Sequence, residues 1–122
     1  MEKQIGEFSF RAITFIFSPG FAGTVNMQVT FEGSATGFGL TLGTMAVTCS
    51  GPESGVWQWC GANYPDSGTC LTGTAQGDFE DRGSKRWHTR GLLTISDGRV
   101  SVVDGEFDLN ARTWNGRLFE RK

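Results

Sequence analysis

The sequence predicts an all-β fold, an eight-stranded antiparallel up-and-down barrel, from three observations. Apolar residues recur with period two in run after run. Glycine makes up 18 of the 122 residues and falls inside those runs as well as between them. The stretch from Gly55 to Ser96 resolves into three consecutive strands joined by two tight turns. Thr, Val, Phe and Trp are abundant, and no segment sets Ala, Leu, Glu or Lys at helical spacing. Consecutive strands with short turns and one apolar face are best satisfied by closing the sheet, because closure removes its exposed edges. The length fits a single domain, residues 1–122, that can bury a core without covalent staples.

Taken in order, the first strand runs from Phe8 to Ser18. Its apolar positions shift from even (Phe8, Phe10) to odd (Ile13, Phe15, Phe17), which places a bulge near Ala12. Pro19-Gly20 ends it. In the second strand Val25, Met27, Val29 and Phe31 alternate with Asn26, Gln28, Thr30 and Glu32, giving one wet face. The small-residue segment Gly33 to Gly39 either bends this strand or turns into the third, Leu40 to Ser50, and bending is the cheaper reading.

The central three strands define a register. A three-residue turn at Arg82-Gly83-Ser84 sets Asp81 against Lys85, Phe79 against Trp87, Gly73 against Leu93 and Leu71 against Ile95. The opposite face then pairs Glu80 with Arg86, Asp78 with His88, Gln76 with Arg90 and Thr72 with Thr94. A slip of one residue would mix the faces. Across the Pro65-Asp66-Ser67-Gly68 turn, Trp59 lies over Ala75 and Trp57 over Gly77. Asp97-Gly98 reads as a two-residue hairpin that sets Ile95 against Val100 and Leu93 against Val102, with a second bulge at Val102-Val103. A turn at Asn110-Ala111 puts Phe107 opposite Trp114, Gly105 opposite Gly116 and Val103 opposite Leu118.

Strand count and glycine placement make the whole chain resemble the calycins and the allene-oxide-cyclase-like barrels. The resemblance is architectural. The first strand lacks the Trp of the lipocalin Gly-x-Trp pattern, so the resemblance implies the fold and carries no activity with it.

Charge and cysteine usage narrow the partners. A net charge of -2 with scattered Lys and Arg leaves no footprint for nucleic acid or an anionic membrane. The N-terminal MEKQIGEFSF has no apolar run of signal length, no segment is long enough for a helical span, and a cytoplasmic location is expected. Cys49, Cys60 and Cys70 are an odd set without a Cys-x-x-Cys spacing, expected to be buried or half-buried thiols, with no metal site and no cofactor.

Three groups of residues are candidates for function. Trp57, Trp59, Phe79, Trp87, Phe107 and Trp114 share one face, where they line a ligand cavity or simply fill the core. On the other face His88, with Asp78 across the ladder and Arg90 beside it, is a candidate proton-transfer group or part of a solvated surface. The segment Gly37 to Gly43 looks like a phosphate loop but lacks the following helix that such a loop needs. The first expectation is a non-catalytic barrel that binds a small apolar or aromatic molecule inside. A cyclase or isomerase using His88 is the alternative. A homo-oligomeric assembly module, with Phe21, Phe38 and Phe119 as contacts, is the third. Burying four tryptophans outweighs burying one histidine, so the aromatic face points inward and His88 outward.

Overall fold

The structure, a computed structural model that describes residues 3–49 and 54–121, is a closed antiparallel barrel of eight strands in sequential order. The strands are β1 (Gln4–Pro19), β2 (Val25–Ala35), β3 (Gly39–Cys49), β4 (Ser54–Tyr64), β5 (Leu71–Gly83), β6 (Arg86–Ile95), β7 (Val100–Asp108) and β8 (Thr113–Glu120). Each pairs with the next, and β8 returns to pair with β1. The up-and-down topology is the one expected. No helix among the described residues is long and apolar enough to cross a membrane.

Several local expectations hold. The β1 register shifts between Ala12 and Thr14, so Phe8 and Phe10 face the core before the bulge and Phe15 after it. Trp57 lies opposite Gly77, Trp59 opposite Ala75, and Phe107 opposite Trp114. Gly33 to Gly39 does not merely bend the chain. β2 continues to Ala35, and Thr36 to Phe38 form the turn into β3, with Gly37 in the left-handed region at φ 81°.

Two registers differ from the sequence reading, each because of a turn. Between β5 and β6 the loop is the two residues Ser84 and Lys85, both left-handed (φ 56° and 63°), with a register shift between Asp81 and Gly83. Phe79 therefore sits opposite Thr89, Trp87 opposite Asp81, Gly73 opposite Ile95 and Ala75 opposite Leu93. On the outer face Glu80 meets His88, Asp78 meets Arg90, Gln76 meets Leu92 and Thr74 meets Thr94. The displacement is two residues, an even number, so no side chain changes face. Phe79 and Trp87 both pack against the core.

Between β6 and β7 the expected two-residue hairpin is longer by one. The Ile95 amide donates to the Arg99 carbonyl (2.9 Å), and Ser96, Asp97 and Gly98 form the loop, with Gly98 at φ 96°. Leu93 consequently lies opposite Ser101, and Val102 opposite Leu92. The break in alternation predicts that the extra residue forms a bulge at Val102-Val103. It resides in the turn instead, and β7 is regular, with Ser101, Val103, Gly105 and Phe107 inward and Val102 outward.

Glycines occupy the inner positions where neighbouring strands approach most closely. Gly77 faces Gly91, and Gly105 faces Gly116. A methyl group on Gly91 would run into the Gln76 carbonyl oxygen and come within 2.8 Å of the Trp57 ring. Gly91→Ala should therefore destabilise the protein by about 3 kcal/mol through overpacking against backbone that cannot move aside. Chemical denaturation of the variant beside wild type checks this, and an unchanged midpoint would refute it.

Candidate functional site

The barrel interior is built from aromatic rings. Trp114 on β8 is the centre of the cluster, with ring centroids 5.1 Å from Phe8, 5.8 Å from Phe10, 5.7 Å from Phe31, 5.4 Å from Trp57 and 5.5 Å from Trp59. Phe10 and Trp59 are stacked, 5.5 Å apart with planes 5° from parallel. Phe107 meets Phe31 edge-on, and Trp87 reaches the cluster through Phe107 at 5.9 Å. All six residues of the expected aromatic face thus point inward, with Phe79 and Trp87 half-buried near the rim. Phe8, Phe10 and Phe31 complete the group. Their alternation marked them as core, but only barrel closure brings β1 and β2 onto the rings of β4 and β8.

Each of the two most buried indoles has a partner for its N–H. Trp57 Nε1 donates to the Asp78 carbonyl at 2.9 Å, and Trp114 Nε1 donates to Thr89 Oγ1 at 2.9 Å. The Thr89 hydroxyl in turn donates to the Gly105 carbonyl at 3.1 Å. Aromatic residues with a polar tip need such partners when buried.

The rings leave little space. A cavity of about 40 Å³ lies at the end of the barrel that carries the β2–β3 and β6–β7 turns. It is bordered by Phe8, Phe10, Phe38, Trp59, Thr41 and Asn63, among others. Thr41 Oγ1 donates to Asn63 Oδ1 at 2.8 Å, a buried polar pair in an otherwise apolar wall. Phe38, on the β2–β3 turn, closes this end, and the Arg99 guanidinium covers it from outside at 4.5 Å. Phe38 is therefore a core residue and not the external contact expected of it. Phe21 is exposed and Phe119 half-buried.

His88 lies on the outer wall, and its partner is not Asp78. Its Nε2 is 2.8 Å from Asp104 Oδ1, while its Nδ1 is 3.2 Å from Arg82 Nη2. Arginine can only donate, so Nδ1 accepts and the ring proton resides on Nε2, pointing at Asp104. Arg90 Nη1 donates to the other Asp104 oxygen at 2.8 Å. The register shift at the β5–β6 turn accounts for the exchange: it moves Asp78 opposite Arg90 and leaves His88 to reach across to β7. Each of these charged side chains is substantially exposed, so the network resembles ordinary cross-strand surface pairing, where single pairs contribute about 0–1 kcal/mol.

The cysteines and the glycine segment add no chemistry. Cys60 and Cys70 are exposed, contrary to the buried or half-buried thiols expected, because Cys60 faces outward from β4 and Cys70 precedes β5. The side chain of Cys49 lies outside the described residues. Gly37 to Gly43 leads into a strand. Among the described residues no group of three or more His, Cys, Asp or Glu is placed to hold a metal ion. No family model matches the chain, and no curated protein or solved structure matches it significantly.

Two measurements check the energetics. Thr89→Val keeps the shape of the side chain but strands the Trp114 N–H and the Gly105 carbonyl, and should lower stability by about 1–3 kcal/mol. At the β7–β8 turn, desolvation pushes the Asp108 carboxyl up, but the Ala111 and Asn110 amides and the Arg86 guanidinium outweigh it and hold the group below its ordinary 3.8. A depressed carboxylate stabilises the fold above its unfolded-state value and loses that contribution as pH falls through the folded-state value. Asp108→Asn should therefore lower the Tm at neutral pH, and the gap to wild type should close at pH below 3.8. A gap independent of pH would show that the charge is not involved.

Proposed function

We propose that the protein is a non-catalytic, calycin-like binding barrel that takes up a small, mostly apolar molecule carrying one hydrogen-bonding group, at the end closed by Phe38. The observation that carries this reading is the void beneath Phe38 with the Thr41 and Asn63 pair in its wall. An apolar cavity with a few convergent polar groups is the common form of a small-molecule site. At about 40 Å³ the void holds little more than one water, so a ligand must take the place of the Phe38 ring.

Phe38 suits that role by its position. Among the residues around the void it is the one on a turn, and a surface contact with Arg99 covers it in place of a strand. Cation–π contacts at exposed sites contribute only about 0.5–1 kcal/mol. Exposing the ring costs about 2–3 kcal/mol, which weakens the apparent affinity by about 30- to 150-fold relative to an open pocket. Ligands the size of one aromatic ring are then expected to bind with Kd between roughly 10 µM and a few mM. The outer-wall His88, with both ring nitrogens engaged, offers no comparable support for proton transfer.

Trp59 and Trp114 border the void and report on its occupancy. Titrating the protein with phenol, benzyl alcohol, indole and toluene should give a saturable change in tryptophan fluorescence. Asn63→Leu should weaken binding of phenol more than that of toluene, whereas His88→Ala should leave both unchanged. The reading fails if wild type gives no saturable response to any of the four up to a few mM, the weak limit of this affinity range.

A further inference from the structure

β1 is longer than the barrel needs. Gln4 to Arg11 pair with β8 and, from Phe8 on, with β2 as well, and Ala12 still donates its amide to the Arg112 carbonyl at 2.8 Å. Beyond that point β8 has ended. Residues Thr14 to Pro19 pair with β2 on one side only, and no described strand lies on the other. There β1 runs on along β2, which is itself paired with β3 from Val25 to Ala35, and the outer edge of β1 is left open. Such an edge presents a row of backbone donors and acceptors ready for another strand.

This stretch carries none of the charged residues that usually protect an edge. From Ala12 to Phe31 the chain has no charged residue. Ile13 and Ile16 are exposed, and Phe17 and Phe21 are 62% and 91% exposed. The bulge at one end and Pro19 at the other confine the open segment to Thr14 to Ser18.

We infer that this edge is an interface at which a second copy of the chain adds its own β1 antiparallel, joining two barrels through Thr14 to Ser18 about a two-fold axis at Ile16. The segment is complementary to itself in that register: Ile16 meets Ile16, Phe15 meets Phe17, and Thr14 meets Ser18. Core-facing residues then meet core-facing residues, and hydroxyls meet hydroxyls. A shift of one residue would set Phe15 against Ile16 and mix the faces. An uncharged strip meets an uncharged strip, while the charged ladders of β5 to β7 stay in water. A two-fold contact of one patch with itself is the commonest route to a dimer.

The area available sets the strength. At about 200 Å² per ring residue, the exposed parts of Phe17 and Phe21 amount to about 300 Å² per copy. With Ile13, Ile16 and the strand backbone added, the pair approaches the roughly 1,000 Å² at which a specific but weak interface forms. A dimer with Kd of the order of 10–100 µM is expected. A lipid surface is the less suitable occupant, because hydrocarbon would leave the open backbone groups unsatisfied.

Sedimentation velocity from roughly 1 to 500 µM, a range that brackets the expected Kd, should show a monomer–dimer equilibrium. Ile16→Lys, which sets two like charges opposite each other at the axis, should shift it at least tenfold toward monomer with an unchanged Tm. Ile16→Cys should cross-link to itself under mild oxidation, because directly opposed residues lie at a distance a disulfide can span. Peptide mapping distinguishes that link from any through Cys49, Cys60 or Cys70. A wild type that stays monomeric throughout, a dimer that Ile16→Lys leaves intact, or a monomer that co-sediments with phosphatidylcholine vesicles would each overturn the inference.

Discussion

Closure of this barrel rests on large rings of one strand lying over glycines of the next. Phe8 lies opposite Gly116, Phe10 opposite Gly33, Phe31 opposite Gly43 and Trp57 opposite Gly77. An eight-stranded barrel is only wide enough inside for side chains to fill it. Phe8, Phe10, Phe31 and Trp57 fit because a strand neighbour of each contributes no side chain, which leaves room for the other rings. The same glycines let backbones approach where the strands curl. At Gly116 a Cβ would collide with the Asp104 carbonyl oxygen and lie 2.8 Å from the Phe8 ring. Ring and glycine are therefore two halves of one constraint, and neither can be changed alone.

Trp114 ties the interior into a single unit. It touches rings from β1, β2 and β4, and its N–H is anchored through Thr89 to the β7 backbone. β1, β2 and β4 are distant from β8 in sequence, and closure brings their rings onto Trp114, from the neighbouring strand β1 and across the interior from β2 and β4. A core filled this completely leaves any function to the ends of the barrel and its outside. At one end a turn residue plugs a small polar-edged void. At the other, β1 runs on beyond the strand that should cover it. Both features arise from the connections and stagger of the strands, while the ring core between them holds the scaffold fixed.

The outer wall shows how little the charged face contributes to that scaffold. Arg86, His88 and Arg90 alternate along β6 and meet Asp108, Glu106 and Asp104 on β7. The opposite charges of Arg86 with Asp108 and Arg90 with Asp104, directly across the ladder, favour this register over its neighbours. Their exposure keeps each pair weak, so they act mainly against mispairing.

The residues alone determined the all-β class, the number of strands, the β1 bulge and the inward aromatic face. These depend on period-two alternation and on glycine and proline punctuation, which are local properties of the chain. The registers of β4 on β5 and of β7 on β8 were legible as well, since each follows from one short turn and one large-small pairing. Three things were decided only by tertiary structure. The β5–β6 and β6–β7 turns took lengths that local signals misjudged: Ser84 and Lys85 adopted left-handed conformations that neither residue favours, and Gly98 absorbed a residue assigned to β7. The partner of His88 followed from that, because a register moved by two exchanges every cross-strand neighbour while preserving every face. The closing contact of β1 with β8, and with it the open edge beyond Ala12, depends on where two strands distant in sequence stop overlapping. Alternation reports which side of a sheet a residue occupies, whereas the stagger of closure is set by how all eight strands fit around one shared set of rings.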